Sequence, residues 1–357
     1  MFGKHALHKC TTQLLILLLG VGFLAAGPAQ GQATDPPVPG EGGEDNQKLA
    51  QASMKFTSIS VSPRASALGN ATTSLRMGSL SMFYNPAAMA RTDRSMEASI
   101  GSVQWIADIR HDYASLAYSP SEGKYGVFGV LVRSVNYGKV HSTIRADNEQ
   151  GYIETGVIKP TAIEAGVSYA MAVTSNFSVG GTAKWAQQNL GASTTSSDSE
   201  SGSRETRSIT EGAPVFDFGV RYQPGFRSLT IGMNARNFSS EVSYGERSFE
   251  LPLDLRMGLS VDLMDFTEGV ENHSFRVSVD ANVPRDFLEQ IKFGGEYEFM
   301  DVLALRAGYV IPDRSKGIRL GGGLRTKISG LLFRVDYSFV RFDRLNNVNR
   351  FGVSVGF

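Results

Sequence analysis

A chain of 357 residues with 41% hydrophobic content, 20% charged residues and 35 basic against 35 acidic side chains has the bulk profile of an ordinary globular protein. Its even charge balance leaves no sequence-wide basic excess, so no nucleic-acid partner is expected. The single cysteine, Cys10, stands so early that processing would remove it, which excludes disulfides, cysteine nucleophiles and thiolate metal sites together.

Taken in chain order, Lys4 and Lys9 precede an apolar run from Leu14 to Ala26, followed by the small residues Ala29, Gly31 and Ala33. This pattern predicts a secretory signal peptide over residues 1–31. The run is shorter than the roughly 20 residues of a spanning helix and no later stretch approaches that length, so no transmembrane helix is expected. Removing it takes Lys4 and Lys9 and no acid, leaving 33 of the 35 basic residues against 35 acids. Residues 32–47, rich in proline and glycine and carrying Asp35, Glu41, Glu44 and Asp45, are predicted to be a disordered linker.

Residues 48–94 are neither strand-like nor strongly helical. They carry Arg64-Ala65-Ser66-Ala67-Leu68-Gly69 and Tyr84-Asn85-Pro86-Ala87. A small, Gly- and Ala-rich segment ahead of a barrel suits a plug in the lumen. Pro86 removes a backbone donor and restrains Asn85 to an extended conformation, so the chain must turn there. A structural turn without ligand explains the pair at least as well as a binding role.

From residue 95 to 357 the apolar period is two. Leu253, Leu255, Met257, Leu259 and Val261 alternate with Asp254, Arg256, Ser260 and Asp262, and Phe275, Val277 and Val279 with Arg276, Ser278 and Asp280. Alternate side chains of a strand face opposite ways. Charges recurring on one face cannot fill a sandwich core, but they fit the wet lumen of a barrel whose other face meets lipid. The expected fold is therefore all-β: a 14-stranded antiparallel transmembrane barrel in the bacterial outer membrane, with strands running from 95–104 through 350–357.

An even strand count returns both ends to the periplasm, where turns are short and external loops long. The connections on the whole keep that beat, with tight turns at 173–175 and 301 and long external loops at 136–160, 189–213, 238–252 and 343–349, although the periplasmic connection at 264–272 is longer than ideal and the external tip at 105–111 is short. The polar tract Thr194–Ser208 is expected to be a mobile outward loop. Tyr118, Tyr169, Trp185, Tyr222, Tyr309 and Tyr337 fall near strand ends, as an interfacial girdle would require, although β-propensity alone also favours aromatics in strands. The last strand ends on Phe357, resembling the signal read by the barrel-insertion machinery.

Little in the sequence suggests chemistry. His111, His141 and His273 lie on separate segments and do not converge on a serine or a metal. No enzyme activity, cofactor or metal is expected. Gly321-Gly322-Gly323 continues as a strand, so it reads as curvature or as a close approach by the plug. Lumen-facing ions of both signs, among them Lys184, Asp217, Arg221, Asp280, Glu296, Arg306 and Asp336, favour salt bridges between plug and wall over a charge-selective pore.

The most specific signal lies before residue 113. Arg64 to Gly69, then Ser81-Met82-Phe83-Tyr84-Asn85-Pro86-Ala87, then Trp105-Ile106-Ala107-Asp108-Ile109-Arg110-His111-Asp112-Tyr113 resemble the PorV/PorQ family of outer-membrane proteins associated with type IX secretion. The chain departs from that family at Ala88, where members usually carry glycine. The Tyr-Asn-Pro-Ala core is also similar to the plug of FadL-like transporters of hydrophobic molecules. The first resemblance implies a non-catalytic barrel that binds the C-terminal signal domain of secreted proteins and hands them to a surface complex. Its partners would be outer-membrane lipid, such cargo and other secretion-system components. Within the external loops, Tyr152, Ile153, Val242, Tyr244 and Phe249 are the expected cargo contacts. The second resemblance implies uptake of an apolar ligand through a pocket near the plug.

Overall fold

A computed structural model describes residues 52–92, 94–196, 204–244, 247–267, 272–312, 319–342 and 345–357. The expected signal peptide and linker lie outside the described residues.

The strands are β1 (Met96–Gln104), β2 (Arg110–Tyr118), β3 (Val127–Asn136), β4 (Val140–Arg145), β5 (Tyr152–Ile158) and β6 (Thr161–Ala172). β7 (Phe177–Ser196), β8 (Arg204–Tyr222), β9 (Thr230–Ser239), β10 (Val242–Tyr244), β11 (Arg247–Phe249) and β12 (Asp254–Asp262) follow. The chain ends with β13 (His273–Pro284), β14 (Gln290–Phe299), β15 (Leu303–Ile311), β16 (Arg319–Ile328), β17 (Leu331–Val340) and β18 (Val348–Gly356). Fourteen of these close an antiparallel barrel, in which β1 pairs with β2 on one side and with β18 on the other. Closure leaves no sheet edge unpaired. β4–β5 and β10–β11 are separate hairpins in two external connections.

Alternation decides which face meets which solvent. Along β12, Asp254, Arg256, Ser260 and Asp262 turn inward while Leu255, Met257 and Leu259 stand about half exposed. Ile100, Phe128, Val167, Leu305 and Leu324 continue the same outward belt around the sheet. A water-soluble protein does not present an apolar surface of that extent. The molecule is an outer-membrane β-barrel, with greasy strand faces toward lipid and charged ones toward the bore.

Three external connections are more ordered than expected. β7 and β8 run far past the membrane and pair as far as Ser196 with Arg204, so most of the tract expected to be a mobile loop is a two-stranded extension. The expected loop at 136–160 contains the β4–β5 hairpin, and that at 238–252 contains β10–β11. Strands outside the lipid belt need no strict hydrophobic alternation, and the β-branched threonines of these tracts suit an extended backbone. The period-two criterion therefore passed them over.

Residues 53–90 descend through the bore. At the outer end the Ser53 amide donates to the Glu250 carbonyl at 2.9 Å. The segment then forms turns at Lys55–Ser58, Gly78–Phe83 and Pro86–Met89 around one short helix, α1 (Pro63–Ala67). Ser62 caps α1 by accepting from the Ala65 amide at 3.4 Å, with Pro63 in the first helical position. Gly69 ends it in a left-handed conformation, φ +64°. Val61, Ala65, Leu68, Met82, Phe83 and Met89 pack with Tyr113 and Leu131 of the wall into the main hydrophobic cluster.

Candidate functional site

The segment sits in notches cut by glycines. A Cβ added at Gly180 would stand 2.6 Å from the Ala87 amide nitrogen, and one at Gly321 would stand 2.6 Å from the Ala67 Cβ. One added at Gly308 would overlap the Gly69 amide and lie 2.6 Å from the Ala67 carbonyl oxygen. These inward glycines let two backbones meet where any side chain would hold them apart. Gly321, read from sequence as either curvature or close approach, serves the close approach.

Charged side chains of the wall clamp the seated segment. Arg64 forks onto Glu296, Nε to Oε2 at 2.7 Å and Nη2 to Oε1 at 2.6 Å, and gives its remaining nitrogen to the Arg76 carbonyl at 2.7 Å. Glu296 also takes Arg306 at 2.6 Å and Arg276 at 3.3 Å, and Arg306 continues to Asp336 at 2.6 Å. Such bidentate charge-assisted bonds are among the strongest polar contacts a protein makes. Asp280 accepts the Thr72 and Thr73 amides at 2.9 Å and the Thr73 hydroxyl at 2.7 Å. On the other side of the bore, Arg133 donates to the Phe56 carbonyl at 2.5 Å and Arg350 to the Ser60 carbonyl at 3.0 Å.

The sequence motifs fall on these contacts. Tyr84 is buried; its hydroxyl accepts the Ser62 amide at 2.9 Å, and its ring lies under the Arg236 guanidinium at 5.8 Å. Asn85 Oδ1 accepts the Ala87 amide at 3.1 Å, while Nδ2 donates to the Thr73 and Val220 carbonyls at 2.7 and 3.1 Å. Pro86 opens the turn that follows. Every polar atom of the Asn85 side chain is thus spent on the protein's own backbone, which is the structural-turn role.

The first-hairpin motif lies at the outer tip between β1 and β2. Trp105 packs edge-on against His111 and Phe342 and lies beneath the Arg350 guanidinium at 5.2 Å. Arg110 and Asp112 form an exposed ion pair at 3.0 Å, and Asp108 stands in the turn at φ +58°. An exposed pair of this kind contributes little stability.

Of the expected cargo contacts, Tyr152 and Ile153 are exposed on β5 and Tyr244 and Phe249 are half-buried. Val242 is buried, so it does not face solvent as a contact residue would. It packs with Met54, Phe56, Val135, Val215 and Leu251 in a second apolar cluster at the outer end of the bore. Tyr137 and Tyr244 roof this cluster, each within reach of Gln188 at 3.5 and 3.4 Å. Burial, reinforced by Tyr244 nearby, pushes the Tyr137 hydroxyl up to about 12, so it stays protonated through the neutral range.

Of a second ion cluster, sequence reasoning named Lys184 and Asp217 but missed Arg133 and Glu164. Glu164 takes Arg133 at 3.2 Å and Lys184 at 3.0 Å, and Lys184 also reaches Asp217 at 2.6 Å. β3 is apolar on both faces, with Val127, Leu131 and Val135 inward and Phe128, Val130 and Val132 outward. The lone Arg133 therefore breaks no visible pattern; its place on the inward phase was the available signal.

Closed barrel, polar bore and seated segment together define a class: a 14-stranded outer-membrane barrel with the FadL-like fold. No family model and no curated protein matches the chain by sequence. Among solved structures it is similar to the toluene transporter TbuX of Ralstonia pickettii, at 12% identity and TM-score 0.55 over 82% of this chain and 96% of that one. The toluene transporter TodX of Pseudomonas putida aligns at 13% identity and TM-score 0.57, covering 83% and 97% of the two chains. The monoaromatic hydrocarbon channel CymD aligns at 13% and 0.50, covering 84% and 98%. At such identities the likeness is one of fold.

Proposed function

We propose that this barrel is a non-catalytic, FadL-like transporter that admits small hydrophobic molecules from the cell exterior. The carrying observation is the apolar cluster at the outer mouth, where Val135, Val215 and Leu251 face inward against Met54 and Phe56. Deeper in the bore the apolar wall positions, such as Val127 and Leu131, are already covered by the seated segment, and many other inward positions are charged. The cluster at the outer end is the apolar surface an entering ligand would meet first, worth roughly 25 cal/mol per Å² transferred. The ligand would compete there with the start of the seated segment, so passage requires Met54 and Phe56 to give way. The shared fold with toluene transporters supports this reading.

The test is uptake of labelled toluene and of a labelled long-chain fatty acid into Gram-negative cells that lack their own carrier. Cells making the barrel should exceed empty cells for at least one probe. Val215→Asp, which places a charge in the outer cluster, should cut that uptake by about fivefold or more. No uptake above empty cells for either probe would contradict the proposal.

A second reading, a type IX secretion role of the PorV kind, is favoured by one observation: β4–β5 projects from the barrel with Tyr152, Ile153 and Val157 exposed. Such a hairpin can take up a β-rich cargo domain through backbone pairing and apolar anchors. The same membranes, solubilised in mild detergent, supply the test. Deleting residues 140–158 should abolish recovery of proteins sharing a C-terminal signal domain, and unchanged recovery rejects this reading.

A further inference from the structure

In the middle of the bore Arg64 and Arg306 pair with Glu296 and Asp336, and Lys184 with Glu164 and Asp217, while the buried Arg236 and Arg350 are packed into the segment and donate to the Thr57 and Ser60 carbonyls. The periplasmic end is different. A cavity of about 940 Å³ opens among Met300 and Asp301 of one short turn and Thr326 and Lys327 at the end of β16, beside the next. Its described lining carries eight basic side chains and three acidic ones, Glu97, Glu298 and Asp301.

Those acids are already engaged. Glu298 and Asp301 share Arg325 at 3.2 and 3.3 Å, and Glu97 accepts the Ser79 amide at 3.0 Å. Meanwhile several of the cations reach no carboxylate among the described residues. Arg91 donates to the Thr174 carbonyl and to the Ser178 hydroxyl at 3.5 Å, and Arg94 donates to the Gly330 carbonyl at 3.3 Å. Arg334 is the sharpest case: its Nε meets no acceptor, and the like-charged Arg64 and Arg325 stand near it as well as the carboxylates of Asp336 and Glu97, neither of which forms an ion pair with it.

Arg64, Arg276 and Arg325 have carboxylate partners, but Arg91, Arg94 and Arg334 border open space without one among the described residues and leave the chamber with a local cationic excess. An anion entering from the periplasm would relieve it. Seven of the eight cations are arginines, whose planar forks match carboxylate and phosphate oxygens two at a time. The volume falls within the range of small-molecule sites, about 300–1,000 Å³. We propose that this chamber binds a small polyanion bearing at least two carboxylate or phosphate groups. The site is independent of either functional reading above, since it lies at the opposite end of the bore from the apolar mouth and the projecting hairpins.

Calorimetric titration of the full barrel in zwitterionic detergent tests it, with pyrophosphate as the phosphate probe and citrate as the carboxylate probe. One saturable site is expected for at least one of them, weakened by added salt. An Arg91→Gln/Arg334→Gln variant should bind about tenfold more weakly or worse. Should that double variant fail to fold, Arg91→Gln alone, at the half-buried rim, should still lower affinity measurably. Absence of a saturable site for both probes overturns the proposal. So does affinity that both variants leave unchanged, or binding confined to an acidic peptide with neither small anion recognised.

Discussion

Gly308→Val is expected to unseat residues 63–70 from the barrel wall. Its Cβ would overlap the Gly69 amide and crowd the Ala67 carbonyl oxygen, and both neighbours are backbone held on either side, so neither can rotate away. Overpacking of a filled interior commonly costs about 1–3 kcal/mol. Here the displaced helix also carries Arg64 off Glu296, which should push the loss toward or past the upper figure. Two readouts follow: a lower unfolding temperature on gels of the unheated protein, and new trypsin cuts after Arg64 and Arg76 in the membrane-embedded barrel. Gly322→Val is the control, because a Cβ there meets nothing nearer than the Ala304 carbonyl at 3.6 Å. Equal behaviour of the two variants would mean that the inward glycines do not seat the segment.

The second large effect belongs to Glu296. Three arginines converge on its carboxylate, two of them buried, at 2.6 Å each for Arg64 and Arg306 and 3.3 Å for Arg276. Glu296→Ala leaves those cations without their shared partner, a change that typically costs about 3–5 kcal/mol in a buried setting. Denaturant unfolding from phospholipid vesicles should register a drop of that order. Arg64→Met placed on top should cost less than it does alone, since its partner is already gone, and the shortfall measures the coupling between segment and wall. Strict additivity would show that the two side chains act separately.

The barrel itself was legible because each strand face meets one solvent, so a period of two in hydropathy maps directly onto in and out. Asp254 to Asp262 and His273 to Pro284 obey it along their length. Legibility failed where that physical premise failed. The outer parts of β7 and β8 run past the apolar belt in a Ser/Thr-rich tract, and β4 and β5 stand largely exposed outside the barrel, so neither carries the strict alternation and both looked like loops. In β3 the inner face is as apolar as the outer one because it packs against Phe83 and its neighbours, and Arg133 disappeared into the pattern.

The site was legible in its residues more than in its contacts. Arg64, Gly69, Tyr84, Asn85 and Pro86 stood out as a motif, and each is buried in the bore or at its wall. Their partners lie far away in the chain: Glu296 for Arg64, Gly308 for Gly69 and Val220 for Asn85. No local spacing links such residues, so only the closed sheet reveals the pairing. Val242 illustrates the converse, a residue judged by its loop setting that the β10–β11 hairpin folds inward over the mouth.

The most direct measurement uses the absence of cysteine from residues 11–357. The Thr73 hydroxyl lies 2.7 Å from the Asp280 carboxylate although the two residues are 207 positions apart. Introducing cysteines at both positions should give a disulfide across the bore in membrane-embedded protein, seen as a reducible mobility shift of the denatured chain. A second pair, Thr73→Cys with Val279→Cys, puts the wall thiol on the lipid side and should give none. A crosslink in the first pair alone is the predicted result; no crosslink there, or equal yields from both pairs, would contradict a segment lodged inside a closed barrel.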